Sequence, residues 1–171
     1  MLHRPKRVKP EPGQRSVWDF PRPPALEREG REVRIEFGGR VIARSVRAMK
    51  VLETSHPPVY FIPGDDFEEG VVRRSAKPAT ACEWKGWATY HDLAVQTSDG
   101  ERVASEVAFS YDDPVSRFAD LRGMVSVYAG PMDGCFVGGE RVTPQPGGFY
   151  SGWITSDVAG PFKGIPGSWG W

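Results

Sequence analysis

A chain of 171 residues can bury one substantial core but not two independent ones. Its 22 Lys and Arg balance its 22 Asp and Glu, so no global positive field points to nucleic acid, and no window approaches the roughly 18 consecutive apolar residues of a membrane-spanning helix. The 16 Pro and 20 Gly favour strands joined by turns over long helices.

The first segment, residues 1–16, sets Arg4, Lys6, Arg7, Lys9 and Arg15 among prolines with little to bury, which predicts a disordered basic arm. Its charge is not followed by the apolar run of a signal peptide, so the expected location is cytoplasmic. Val17-Trp-Asp-Phe-Pro-Arg-Pro-Pro24 joins two large aromatics to fixed proline dihedrals, an extended segment suited to lacing onto a domain.

From Arg31 the period becomes two. Val33, Ile35 and Phe37 alternate with Arg34 and Glu36, and Gly38-Gly39 turns the chain into Arg40 to Arg44, a hairpin. Val46 to Glu53 and Pro58 to Ile62 read as two more strands, followed by a capped turn at Pro63-Gly-Asp-Asp-Phe67. Trp84 to Gln96 and Glu101 to Ser110 flank Thr97-Ser-Asp-Gly100, a second hairpin. Asp113-Pro114 opens a brief helix near Phe118 and Leu121, and Met124 to Tyr128 and Cys135 to Val137 return to strand chemistry.

The expectation is a mainly β, single domain over residues 17–143, with about eight short strands, one or two helical turns and an antiparallel, strongly bent sheet. Residues 144–171 hold three of the six tryptophans without periodicity. Such a tail either packs back on its own domain, makes a homodimer contact or serves as a pocket lid.

Two runs carry the candidate chemistry: Glu53-Thr-Ser-His-Pro-Pro-Val-Tyr-Phe-Ile-Pro-Gly-Asp-Asp66 and Cys82-Glu-Trp-Lys-Gly-Trp-Ala-Thr-Tyr90. Both mix ionisable groups with aromatics, Pro and Gly, as pocket linings do. Lys85, between Trp84 and Trp87 and before Gly86, is suited to hold an anion, or to act as base or nucleophile in a dry site; the alternative is an edge-strand lysine with a solvated head. Cys82, three residues earlier, would face away from Lys85 in a straight strand, so a turn is needed to unite them; otherwise it is a core thiol.

Asp65-Asp66 and Asp112-Asp113 read as turn sequences in preference to a magnesium site. Cys82, Cys135, His3, His56 and His91 give no zinc-ligand spacing, so no metal and no cofactor is expected, and both cysteines should be free thiols. Neither a glycine-rich phosphate loop nor a serine nucleophile elbow occurs.

These two runs, followed by Ser110-Tyr-Asp-Asp-Pro114, resemble the bacterial and fungal family catalogued as domain of unknown function 427, sometimes labelled a nucleotidyltransferase. The resemblance implies a β-tent of two antiparallel sheets leaning together over a cleft, as in Mss4-like proteins. It groups Glu53, Tyr60, Lys85, Gly86, Tyr90 and Tyr111 as ligand contacts; the candidate catalytic groups are Lys85, Glu53 and, from its nearness to the lysine, Cys82. On the residues alone, Glu53 reads as a surface carboxylate and Tyr60 as a core aromatic. Phe61 and Phe109 stand where the family more often has tyrosine and tryptophan. The leading reading is a protein that binds a small organic molecule in an aromatic-lined cleft. The alternatives are an enzyme acting on a small metabolite, and a structural or interaction protein using its tryptophan-rich tail.

Overall fold

The computed structural model describes residues 4–171, and strands dominate it. In chain order these are β1 (Arg15–Ser16), β2 (Ala25–Arg28), β3 (Val33–Phe37), β4 (Arg40–Ser45), β5 (Met49–Leu52), β6 (Val59–Pro63), β7 (Val72–Arg74) and β8 (Thr80–Cys82). They continue with β9 (Gly86–Thr97), β10 (Gly100–Tyr111), β11 (Met124–Val127), β12 (Gly134–Val137), β13 (Glu140–Arg141), β14 (Thr143–Pro144), β15 (Trp153–Ile154) and β16 (Val158–Ala159). The helical content is confined to 3-10 turns at Val17–Asp19, Gly64–Asp66 and Ser116–Leu121.

The predicted hairpin Arg31 to Arg44 forms as β3 and β4, with Val33, Ile35 and Phe37 buried and Arg34 and Glu36 facing out. Gly38 has φ +64°, and a Cβ there would sit 2.3 Å from a Val95 methyl, so the turn requires glycine for both reasons. β13, β12, β3 and β4 make a four-stranded sheet. The larger, eight-stranded sheet runs β2-β5-β6-β11-β10-β9-β7, with β8 beside the first part of β9. Its longest pair, β9 and β10, has 12 residues in each strand.

The main core fills the space between these two sheets. Val33, Ile35 and Phe37 of the small sheet meet Tyr60, Ile62, Leu93, Val95, Ala108, Val125 and Val127 of the large one. The alternate residues of the same strands, Phe61, Ala88, Phe109, Tyr111 and Met124, form a second apolar layer on the opposite face. That second face is where the cleft lies. β10 carries a bulge between Ala104 and Ala108, with Glu106 at φ 58° and its N–H held by Asp92 Oδ1 at 2.8 Å; Ser105 to Val107 thereby turn toward the cleft rim.

The segment after residue 143 packs back on the domain. Trp153 is 1% exposed, stacks on Tyr60 and donates its indole N–H to Val127 O at 2.9 Å. From Val8 onward the expected disordered arm is instead tied down: Val8 N–H bonds Gly160 O at 3.0 Å, and β1 pairs in parallel with β16. Those two residues of β1 find backbone partners only because the tail has returned beside them. Met1 to His3 lie outside the described residues.

Among the described residues no helix is long and apolar enough to cross a membrane, and no three His, Cys, Asp or Glu side chains converge as metal ligands.

Candidate functional site

A cleft of about 850 Å³ opens on the second face of the large sheet. Its floor is aromatic. Phe109 is the hub, with Tyr90, Tyr111 and Tyr128 around it at ring-centroid distances of 6.5, 5.9 and 6.0 Å. Val51 and Ala88 complete the apolar base. The period of two delivers this set, since Phe109 and Tyr111 share a face of β10 and Ala88 and Tyr90 share one of β9.

Lys85 stands at one end. β8 and β9 form a hairpin in which Cys82 pairs with Gly86, and the turn between them carries Lys85 and Cys82 into the same cleft. The turn that could unite them therefore exists. Gly86 has φ +119°, and a Cβ on it would meet Asp113 O at 3.2 Å, while Val115 N–H bonds Lys85 O at 3.0 Å. The close approach that Gly86 allows is thus to the loop after β10, not to a ligand. Lys85 is 8% exposed, and its ammonium lies 5.6 Å from the centre of the Tyr111 ring. Among the described residues it has no hydrogen-bond acceptor and no carboxylate within 4 Å.

The phenols are individually placed. Burial, and then the Cys82 thiol beside it, push the Tyr111 hydroxyl above its ordinary range, so it stays a neutral donor. Burial does the same for Tyr128, whose hydroxyl donates to Phe149 O at 3.1 Å. Tyr90 and Thr80 share a hydrogen bond at 2.6 Å, and Lys77 lies 4.0 Å over the Tyr90 ring.

Glu53 lines the cleft with its carboxylate engaged, accepting from Arg22 Nε and Trp84 Nε1, each at 3.3 Å. Tyr60 does not reach the cleft. It sits on the opposite face of β6, 1% exposed, with its ring 5.1 Å from that of Trp153. Tyr60, grouped with the ligand contacts by resemblance, is a core aromatic because β6 alternates and Phe61 takes the cleft side.

The wall facing the floor comes from the tail, through Gln145, Phe149, Tyr150 and Lys163. Trp153 N–H to Pro58 O and Lys163 N–H to Ser55 O, both 2.9 Å, fasten this segment to the loop after β5. Gln145 is buried, and every one of its amide atoms is assigned. Its Oε1 accepts from Gly152 N–H at 3.0 Å, and its Nε2 donates to Lys163 O at 2.9 Å and to His56 Nδ1 at 3.0 Å.

His56 Nδ1 is therefore an acceptor, and the imidazole carries its proton on Nε2. Burial lowers its pKa to about 4, with Lys163, Arg22 and Lys85 adding to the fall and Glu53 opposing it. Lys163, whose ammonium is 5.5 Å from the Tyr150 ring centre, is lowered by burial and then by Arg22. His56 stood within the first candidate run and was weighed only as a zinc ligand, and Gln145, Tyr128, Tyr150 and Lys163 were not marked as site residues. Their convergence is long-range, and the aromatic density of the tail was the one signal pointing to it.

The family model described as domain of unknown function (DUF427) matches residues 25–138, two thirds of the chain, including the floor and the Lys85 turn but not the tail wall. No curated protein matches the chain.

Proposed function

We propose that this chain, which belongs to the DUF427 family, binds a small organic anion in the cleft, with Lys85 as the group that holds the negative charge. The observation carrying this reading is the isolation of that ammonium. The ammonium opens on the cleft with no internal counter-charge, so an anion entering the cleft is the partner available to it. The other cleft carboxylates do not compete for it: Glu83 and Glu106 are exposed at the rim, and Glu53 is engaged by Arg22 and Trp84.

The remaining lining supports recognition of an organic body. The hydroxyls of Tyr90 and Tyr111 and the N–H of His56 offer directed polar contacts beside the aromatic floor. The volume lies within the roughly 300–1,000 Å³ range of small-molecule sites.

Native mass spectrometry of the protein isolated from its own cells, beside a Lys85→Met variant, tests the reading. Extra mass retained by the first and lost by the second is the expected result. An adduct carried equally by both would place the ligand elsewhere and overturn the proposal.

A further inference from the structure

Two aromatic walls line the cleft, and they come from different parts of the chain. The floor is the Phe109 cluster of the large sheet. The facing wall is Phe149 and Tyr150, in edge-to-face contact at 4.9 Å and backed by Trp169, 5.7 Å from Phe149. Phe149 is 65% exposed and Trp169 is 69% exposed, although water disfavours apolar rings of that size left open. The bond from the Tyr128 hydroxyl to Phe149 O links floor to wall, and the Tyr150 ring is held edge-on against His56 at 4.7 Å.

From this arrangement, and resting on the anion-binding reading above, we infer that the ligand is a planar aromatic anion. Its ring lies between the Phe109 floor and the Phe149–Tyr150 wall, and its charged group is at Lys85. Phe149 is the specificity-determining residue. A flat π-system makes face and edge contacts with both walls at once, whereas a puckered aliphatic ring of equal size makes only dispersion contacts. Selection for the ring resides in residues beyond 138, outside the family match, so the same floor and lysine can serve a different organic body in a chain with another tail.

Isothermal titration with three probes tests this: 2-naphthoate, decahydronaphthalene-2-carboxylate, which has the same charge and a similar size but is not planar, and the neutral 2-naphthalenemethanol. Naphthoate should bind the native protein about tenfold more tightly than the saturated acid, an edge consistent with one or two aromatic pairs. Phe149→Leu, which keeps an apolar side chain at an exposed position, should erase most of that preference while leaving the saturated acid within about twofold. Equal binding of both acids, or a preference that survives Phe149→Leu, overturns the aromatic inference and leaves anion binding intact. Failure of both acids to bind, or equal binding of naphthoate and the neutral alcohol, overturns the anion reading as well.

Discussion

The amide of Gln145 donates to Nδ1 of His56 at 3.0 Å, and this bond fixes the imidazole proton on Nε2, while burial keeps the ring neutral. A proton on Nδ1 would face an N–H group. Turning the amide over would cost its bonds with Gly152 N–H and Lys163 O.

Stability should therefore fall with acid in a defined window. The folded pKa of His56 is lowered from 6.5 to about 4, so between those values the unfolded chain binds a proton that the fold refuses, and stability rises with pH across that range. The loss on going from pH 7 to pH 4 is on the order of 2–3 kcal/mol. Thermal melts of His56→Gln should show a flatter profile between pH 7 and pH 4. His91, also lowered by burial, keeps a residual slope of the same sign.

Glu29 has the same linkage sign in a more acidic window. It is 4% exposed and accepts from Arg31 N, Nε and Nη2 and from Lys50 Nζ. Burial alone would raise its pKa, yet these donors hold it at about 2, so its contribution is present above pH 4.5 and is lost as pH falls toward 2. Arg31 also pairs with Asp157, just before β16. Glu29→Gln should cost about 2 kcal/mol in urea unfolding at pH 7, a figure reduced because the arginine is partly exposed.

Gly86→Ala should be costly out of proportion to one methyl group. The strained φ and the Asp113 carbonyl together predict a loss of about 2 kcal/mol. Because the same turn carries Lys85, binding of an organic anion should weaken as well. Titration at a temperature where the variant remains folded separates the two effects.

Trp153→Ala should cost about 3–5 kcal/mol, as expected for an emptied large aromatic site, and should also leave Val127 O without its indole donor. Limited proteolysis of the variant should cut first between residues 144 and 171, since Trp153 is the deepest anchor of that segment. Cuts elsewhere first would show that the tail does not depend on it.

The hairpins were legible in the sequence because alternation and Gly-containing turns are local signals, as with Val33, Ile35 and Phe37 around Gly38-Gly39. β2, β7, β8 and the two-residue strands of the tail were not, since so few residues cannot display a period. At β6 the resemblance misled, since on the residues alone Tyr60 reads as the core aromatic it is. Tyr60, Phe61 and Ile62 are all buried, so nothing in their hydropathy tells which face is the core and which is the cleft. Lys85 and Cys82 could be proposed, but their union depends on a turn at Glu83 to Lys85 that no period announces. His56, Gln145 and Lys163 meet across about a hundred residues, through bonds that only the folded tail supplies.

The parallel pairing of β1 with β16 brings Arg15 beside Val158, nearly the whole chain apart. During synthesis, β1 must wait unpaired until that late segment has left the ribosome, and Gln145 and Lys163 emerge late too. The cleft is consequently the last part of the molecule to become competent: a nascent chain can close its two sheets and still have only the floor of its binding site.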